Sequence, residues 1–522
     1  MRKLTHDRFF TLQTVLIFLL ALTVLNSEVL WLLDHNFTSD ASMNRWSKVL
    51  GVMSEENFKL GYLGMLYPHI PTYVLTPFYY LPEYIRSAAP YFVSSLFGAG
   101  LLAFWNFHLQ QKRYDLGDRL FLVLLVMAHP FFLWSVTSGK TSGMSLVMFY
   151  LLYLASVRLI KEADIRSIIM LGAVLGTYFF IDEKTFFIYI AFLPLLPLIA
   201  PRNMLNQSPA SVYLVVTMPL IISVVAWLYL NWVFEGGSLS FLTSPYASFR
   251  GAWQNVPDIE WLRDYGGEFL IPMLICFVVL VFAYPIVVWL IWRSRRHQKL
   301  LRGTEVMFIH LGLAAGLSTT AFFLVHPADM LFLVSAGVMA GIVLLPHESH
   351  KMKRGLYAMM AFSVFTGWVA LSWKPTTEMQ AWLDAMTGKP VLVQHEGDVR
   401  LGQWLRGNRL RTLMDDHAGY RAIVARGDGE GMIVSYTLEF QQALRSDHLY
   451  VDQVAVMDPL YSGRSQDMHG SDMLADRMPD MITQRYPDLY QHGMEGYRLV
   501  YDSDHWRVYR RLDKKVMVGM SQ

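Results

Sequence analysis

The sequence predicts a mainly α, polytopic integral membrane protein with about eleven transmembrane helices and a C-terminal α/β domain outside the membrane. Three observations carry this. The 522-residue chain is 54% hydrophobic and only 16% charged, with a mean hydropathy of +0.31, whereas a soluble chain carries about 25% charged residues. The charge is also unevenly spread. Residues 374–522 hold 39 charged residues among 149, or 26%, and residues 1–373 hold the other 47, or 13%. Finally, eleven apolar runs precede residue 374, and a bilayer core asks for roughly 20 apolar residues per helix.

These counts exclude a disordered chain and an ordinary cytosolic enzyme. The net charge of +2 gives no footing for a nucleic-acid partner. The single cysteine, Cys276, excludes a disulfide framework and a cysteine-based zinc cluster.

In chain order the apolar runs are 10–33, 89–109, 119–137, 142–160, 167–181, 185–200, 211–233, 268–292, 305–325, 329–346 and 355–373. The first is followed by Asn26-Ser27-Glu28 and further apolar residues, with no small-residue cleavage site, so it reads as a membrane helix. Loop charge sets the orientation. With the N-terminus in the cytoplasm, the inner loops carry 18 Lys and Arg and the outer loops 8. An odd number of crossings then puts residues 374–522 in the periplasm of a Gram-negative inner membrane.

Two outer loops are long, 34–88 and 234–267. In the first, Trp46, Val49, Leu50 and Met53 form an amphipathic stripe suited to a membrane surface. In the tail, Ala422–Ala425, Met432–Ser435, Val454–Met457 and Trp506–Arg510 read as strands, with helical stretches near 400–415, 437–446 and 471–486. No internal repeat stands out.

Several short motifs resemble the GT-C superfamily of polytopic glycosyltransferases, which take sugar from a polyprenyl-phosphate carrier. Ser39-Asp40-Ala41 looks like the acidic motif of the family's first outer loop, with Ser39 where a second acid often stands. Tyr67-Pro68-His69-Ile70-Pro71 looks like its Tyr-Pro-Pro-Leu-Pro element. Thr137-Ser138-Gly139-Lys140-Thr141-Ser142 is similar to the Ser-Gly-Leu-Glu-Thr stretch of the terminal arabinofuranosyltransferase branch, with no acid and a lysine instead. Met457-Asp458-Pro459-Leu460 and Trp506-Arg507-Val508-Tyr509-Arg510-Arg511 are similar to that branch's periplasmic domain.

The resemblance implies transfer of one sugar from a polyprenyl-phosphate donor to a glycan, lipid or protein acceptor, with membrane lipids as surroundings. Only one acid matches the motif, which favours an inverting path. Such a path needs a carboxylate base and cations on the leaving phosphate. Asp40 is the expected base; as a purely structural residue it would be a helix N-cap.

Arg250, Lys184, Lys140 and His69 are the donor-phosphate candidates, set against a snorkelling arginine, a self-neutralised Asp182-Glu183-Lys184 turn and interfacial packing. Glu55, Glu56, His326 and Asp329 are acceptor-side or supporting candidates, set against exposed turns. No spacing indicates a tight metal site, so no cofactor is required, and room is left for loosely held Mg²⁺ or Mn²⁺. Two other classes compete: a transporter or flippase of lipid-linked saccharide, and a non-catalytic scaffold or sensor. A transporter would gather charge and broken helices at the bilayer midplane, often in repeated halves, whereas here the polar residues gather at the outer ends.

Overall fold

A computed structural model describes residues 2–54, 68–162, 164–182, 185–235, 237–239, 270–294, 301–320, 328–345, 350–391, 396–435, 437–446, 449–459, 480–503 and 505–512. Each of the eleven apolar runs overlaps a helix, but eleven crossings is an overestimate. Among the described residues five helices are long and apolar enough to span a bilayer: Leu12–Asp34, Ala89–Gln111, Ser142–Glu162, Pro209–Val233 and Lys353–Ser372. At 1.5 Å per residue the first is roughly 34 Å long, enough for a core of about 30 Å.

Two further runs are bent pairs, which raise the number to seven if each pair crosses once. Leu116–Met127 and Pro130–Thr137 meet at 72°, and Met273–Ala283 and Pro285–Arg293 at 83°. Proline causes both breaks. It lacks an N–H, and it pushes the preceding residue out of helical geometry, as the extended φ −73°, ψ 122° of His129 records.

Three of the remaining runs give shorter apolar helices, Ile165–Phe179, Thr185–Ile199 and Leu333–Leu344, and the described apolar part of the Leu301–Thr320 helix is Glu305–Leu317. All twelve residues of Leu333–Leu344 are buried. A helix that is apolar all round and about 18 Å long is a core element. The long spans instead leave Leu19, Leu20, Ile221, Ile222, Phe362 and Phe365 exposed, as lipid-facing surfaces do.

The chain divides into two compact units. The first comprises Met1–Phe37, Tyr91–Ala226 and Asn255–Val391; the second comprises Thr38–Pro90, Trp227–Gln254 and Leu392–Gln522.

The first unit keeps residues 374–391 because the Thr377–Met386 helix is docked by its tryptophan. Trp382 is fully buried, stacks on Trp368 (6.0 Å, 15°), meets Trp134 edge-on (5.7 Å, 80°) and donates to Thr137 Oγ1 at 3.0 Å. Trp31 Nε1 donates to Ala385 O at 3.1 Å. Elsewhere in this unit, Gly172 and Gly176 lie one turn apart against the backbone of Val216 and Pro219. A Cβ at Gly176 would sit 2.9 Å from the Pro219 carbonyl oxygen, so only glycine permits this helix pair.

The second unit is built on a five-stranded sheet ordered β2-β1-β3-β5-β4. The strands are β1 (Thr412–Leu413), β2 (Met432–Ile433), β3 (Gln453–Met457), β4 (Tyr497–Asp502) and β5 (Trp506–Arg511). β2, β1 and β3 run parallel, while β5 is antiparallel to both β3 and β4. Leu413, Ile433, Val454, Val456, Phe440 and Ile482 fill the core.

The expected strand at Ala422–Ala425 is instead helix, within Asp416–Arg426. A four-residue apolar run fits either state. The ends decide here: Asp415 accepts from His417 N, and Gly427 stops the helix at φ +85°.

The long first loop contributes the Asp40–Ser54 helix to this unit. Its apolar stripe packs on the Asp416–Arg426 helix, leaving Trp46 2% exposed. Trp46, Val49 and Leu50 of the stripe that suggested a membrane surface are buried within protein, and Met53 is partly exposed. At the helix's far end Gly429 N donates to Ser54 Oγ at 2.9 Å, and Gly429 comes so close to Gly51 that a Cβ would be 2.5 Å from the Gly51 Cα.

Candidate functional site

One group of described residues with site chemistry lies in the second unit, around the two packed helices and the carboxyl ends of β1 and β3. Asp40 is the first residue of its helix, where a negative charge suits the helix dipole. Its Oδ1 accepts from Arg421 Nη2 on the facing helix. Asp40 is 18% and Arg421 7% exposed, so the pair is largely shielded from water. Among the described residues no hydrogen bond reaches the second oxygen, Oδ2. One oxygen is fixed and the other is open.

The next cluster follows β1. Asp415 and Asp416 are buried, and His417 beside them is nearly so. Asp415 holds the backbone N–H of His417 with one oxygen and that of Met481 with the other, both at 2.9 Å. Asp416 Oδ1 accepts from Ser435 N at 2.9 Å, at the end of β2. His417 Nδ1 lies 3.4 Å from Asp415 and 4.0 Å from Asp416.

Asp415, Asp416 and His417 thus place three ligand-type atoms within 4.8 Å of one another. Three carboxylate oxygens of this trio already tie backbone amides, so the cluster has a structural task independent of any metal. The run Asp415-Asp416-His417 was visible in the sequence and was not singled out. Nothing local marked it as buried, because the pairing of β1 with β2 and β3 does that.

Protonation is displaced here. Burial alone would lower the pKa of His417. The Asp416 charge and the Asp415 hydrogen bond outweigh it, with Lys48 opposing, so His417 sits above its ordinary value. Burial, then the Asp415 charge, push Asp480 up to about 8, against bonds donated by the N–H groups of Met457 and Ile482.

Both groups bind more protons folded than unfolded: Asp480 from about pH 4 to 8, His417 from about 6.5 upward. Stability of this unit therefore falls as pH rises from 6 through 8. Hydrogen exchange at the β3 amides, compared at pH 6 and 8 after correction for intrinsic rates, is the measure. Asp480→Asn should flatten the trend, and β3 protection that is constant or rises with pH in the parent rules it out.

The other sequence candidates are not brought together here. Lys140, in the first unit, is paired with Glu378 at 2.5 Å and lies 5.0 Å from the Trp134 ring. Glu378 lies 238 residues further along the chain. Asp182, also in the first unit and buried, accepts from Ser145 Oγ at 2.6 Å and Thr141 Oγ1 at 3.5 Å. Thr141 and Ser145 are thereby tied to Asp182. His69 is buried at the start of the short His69–Leu75 helix, its ring 6.2 Å from Tyr73. Glu55, Glu56, Lys184, Arg250, His326 and the Asp329 side chain lie outside the described residues.

The chain matches no protein-family model and no curated protein.

Proposed function

We propose that the chain is a membrane glycosyltransferase. It moves one sugar from a polyprenyl-phosphate donor to an acceptor at the outer face of a bacterial inner membrane, by an inverting path. The acceptor is a glycan, a lipid-linked saccharide or a protein. The half-engaged carboxylate of Asp40 carries this reading. Arg421 fixes its position through Oδ1, and Oδ2 is left to take a proton from an acceptor hydroxyl. Five residues separate it from the end of the Leu12–Asp34 span, which suits a donor whose carrier stays in the bilayer.

A transporter of lipid-linked saccharide is the second reading, and the two bent spans favour it, since transporters build their sites at broken helices.

Extraction of the purified protein and mass spectrometry of co-purifying lipid tests the first reading. A polyprenyl-phosphate monosaccharide that is consumed when an acceptor fraction is added is the expected result. A lipid-linked saccharide that co-purifies and crosses proteoliposome membranes without chemical change would replace transfer with transport.

A further inference from the structure

Arg119, in the first unit, carries a charge that none of the roles above uses. It is the fourth residue of the Leu116–Met127 helix, roughly 4.5 Å in from the helix start, and is only 4% exposed. Its guanidinium joins three helices. Nη1 donates to Asn106 Oδ1 at 3.4 Å, on Ala89–Gln111, and Nη2 donates to Gln13 Oε1 at 3.2 Å, on Leu12–Asp34. Both acceptors are neutral amides, and both bonds are long for N–H···O.

Two donors at this spot have no acceptor. The Arg119 Nε–H and the Asn106 Nδ2 group are buried and unbonded among the described residues. No ion pair reaches Arg119 there either. The nearest acids face another cation. Asp115, one turn earlier, holds its carboxylate 82% exposed and 3.5 Å from Lys353 Nζ, and Asp118 pairs with the same lysine at 2.5 Å. Water and Lys353 therefore screen the Asp115 charge.

A water molecule would satisfy the two N–H groups and leave the charge uncompensated. A desolvated charge without a counterion is costly, and an ionisable residue in a membrane segment is a functional candidate for that reason.

The surroundings select the anion. Loop charge puts this end of the helix at the inner face, with Lys112 and Arg113 in the turn before it. Leu12 and Leu16, on either side of Gln13, are exposed, and so are Leu116, Leu120 and Leu124 on the Arg119 helix. Apolar surface for acyl chains thus adjoins the buried guanidinium.

We propose that Arg119, with the Asn106 amide, binds the phosphodiester of an anionic phospholipid of the inner leaflet. Arginine offers such a group two parallel charge-assisted hydrogen bonds, stronger than the amide contacts it gives up. The bound lipid completes the junction of the three helices. This site is independent of the reaction proposed above.

The test uses the full chain, delipidated in detergent, with phosphatidylglycerol, phosphatidylcholine and inorganic phosphate as probes. Native mass spectrometry counts bound lipid, and thermal unfolding reads stability. Phosphatidylglycerol should bind tightly and raise the unfolding temperature of the parent. Phosphatidylcholine, whose own cation answers its phosphate, should do neither. Arg119→Gln should weaken phosphatidylglycerol binding roughly 10- to 150-fold, the range for hydrogen bonds to charged groups. Arg202→Gln, at an exposed inner-loop arginine, should leave it unchanged.

Arg119→Met guards against a variant that merely fails to fold. It keeps the side chain's length without the charge, so in the absence of lipid it should be at least as stable as the parent. Phosphatidylglycerol should then stabilise the parent alone. A methionine variant less stable than the lipid-free parent overturns the proposal, because the amide contacts then suffice for Arg119. Equal phosphatidylglycerol binding by parent and Arg119→Gln, or an equal effect of phosphatidylcholine, overturns it too. Inorganic phosphate that stabilises the parent and not Arg119→Met, where phosphatidylglycerol stabilises neither, overturns the lipid and leaves a soluble phosphoryl ligand in its place.

Discussion

An Asp40→Asn variant is expected to lose about 10²–10⁴-fold in sugar transfer, the usual worth of general-base catalysis, or roughly 2.7–5.5 kcal/mol. The amide keeps the shape of the carboxylate and cannot take a proton. The Arg421 contact complicates the experiment, because asparagine also removes the charge that faces a largely buried guanidinium. Losing that charge-assisted bond costs about 1.5–3 kcal/mol of stability, so the single variant confounds a lost base with a loosened helix.

The double variant Asp40→Asn/Arg421→Gln separates them. It removes both charges and should recover most of the stability lost by the single change. If Asp40 is the base, turnover stays down in the double variant. If Asp40 is only a latch between the two helices, turnover returns along with stability. That second result would take Asp40 out of the mechanism, and Glu55, Glu56 and Asp329 would be tested next.

The second large effect is structural. Trp382→Ala should destabilise the first unit by about 3–5 kcal/mol, the range for removing a buried aromatic. The change leaves a hole between Trp134 and Trp368 and frees Thr137 Oγ1. Trp382→Phe keeps most of the packing and forfeits the hydrogen bond, so about 0.5–1.5 kcal/mol is expected. Thermal inactivation of the detergent-solubilised chain reads both. An alanine variant as stable as the phenylalanine one would mean that the Thr377–Met386 helix is not an anchored part of this unit.

How much of this was legible in the sequence follows from the range of the forces involved. Apolar runs are local, so all eleven were found and all overlap helices. Whether a run crosses a membrane is not local. Leu333–Leu344 is as apolar as a span and serves as core because other helices cover it on every side.

Which residues pack together is not local either. Composition changes near residue 374, but Trp382 binds Trp134 and Thr137, about 245 residues earlier. Within the tail, Met432–Ser435, Val454–Met457 and Trp506–Arg510 were readable as strands, and β2, β3 and β5 lie there; the two-residue β1 falls inside the stretch near 400–415 that reads as helical, whose helix ends at Gly407.

For the site, Asp40 was visible by its position after the first helix. Its partner Arg421 lies 381 residues away, and no periodicity points across that distance.

The two bent spans also constrain how the protein is made. At one break His129 Nε2 donates to the Ala283 carbonyl at the other, 3.3 Å away, and the Ile286 N–H that cannot close a regular helical turn around Pro285 is taken by Ser363 Oγ at 3.0 Å. Bare peptide groups are costly in hydrocarbon. Ser363 belongs to Lys353–Ser372, the last of the long spans to leave the ribosome. Neither kink is completed while its own segment is being inserted. The bond at the His129 break therefore needs the second pair, and the bond at the Pro285 break needs Ser363.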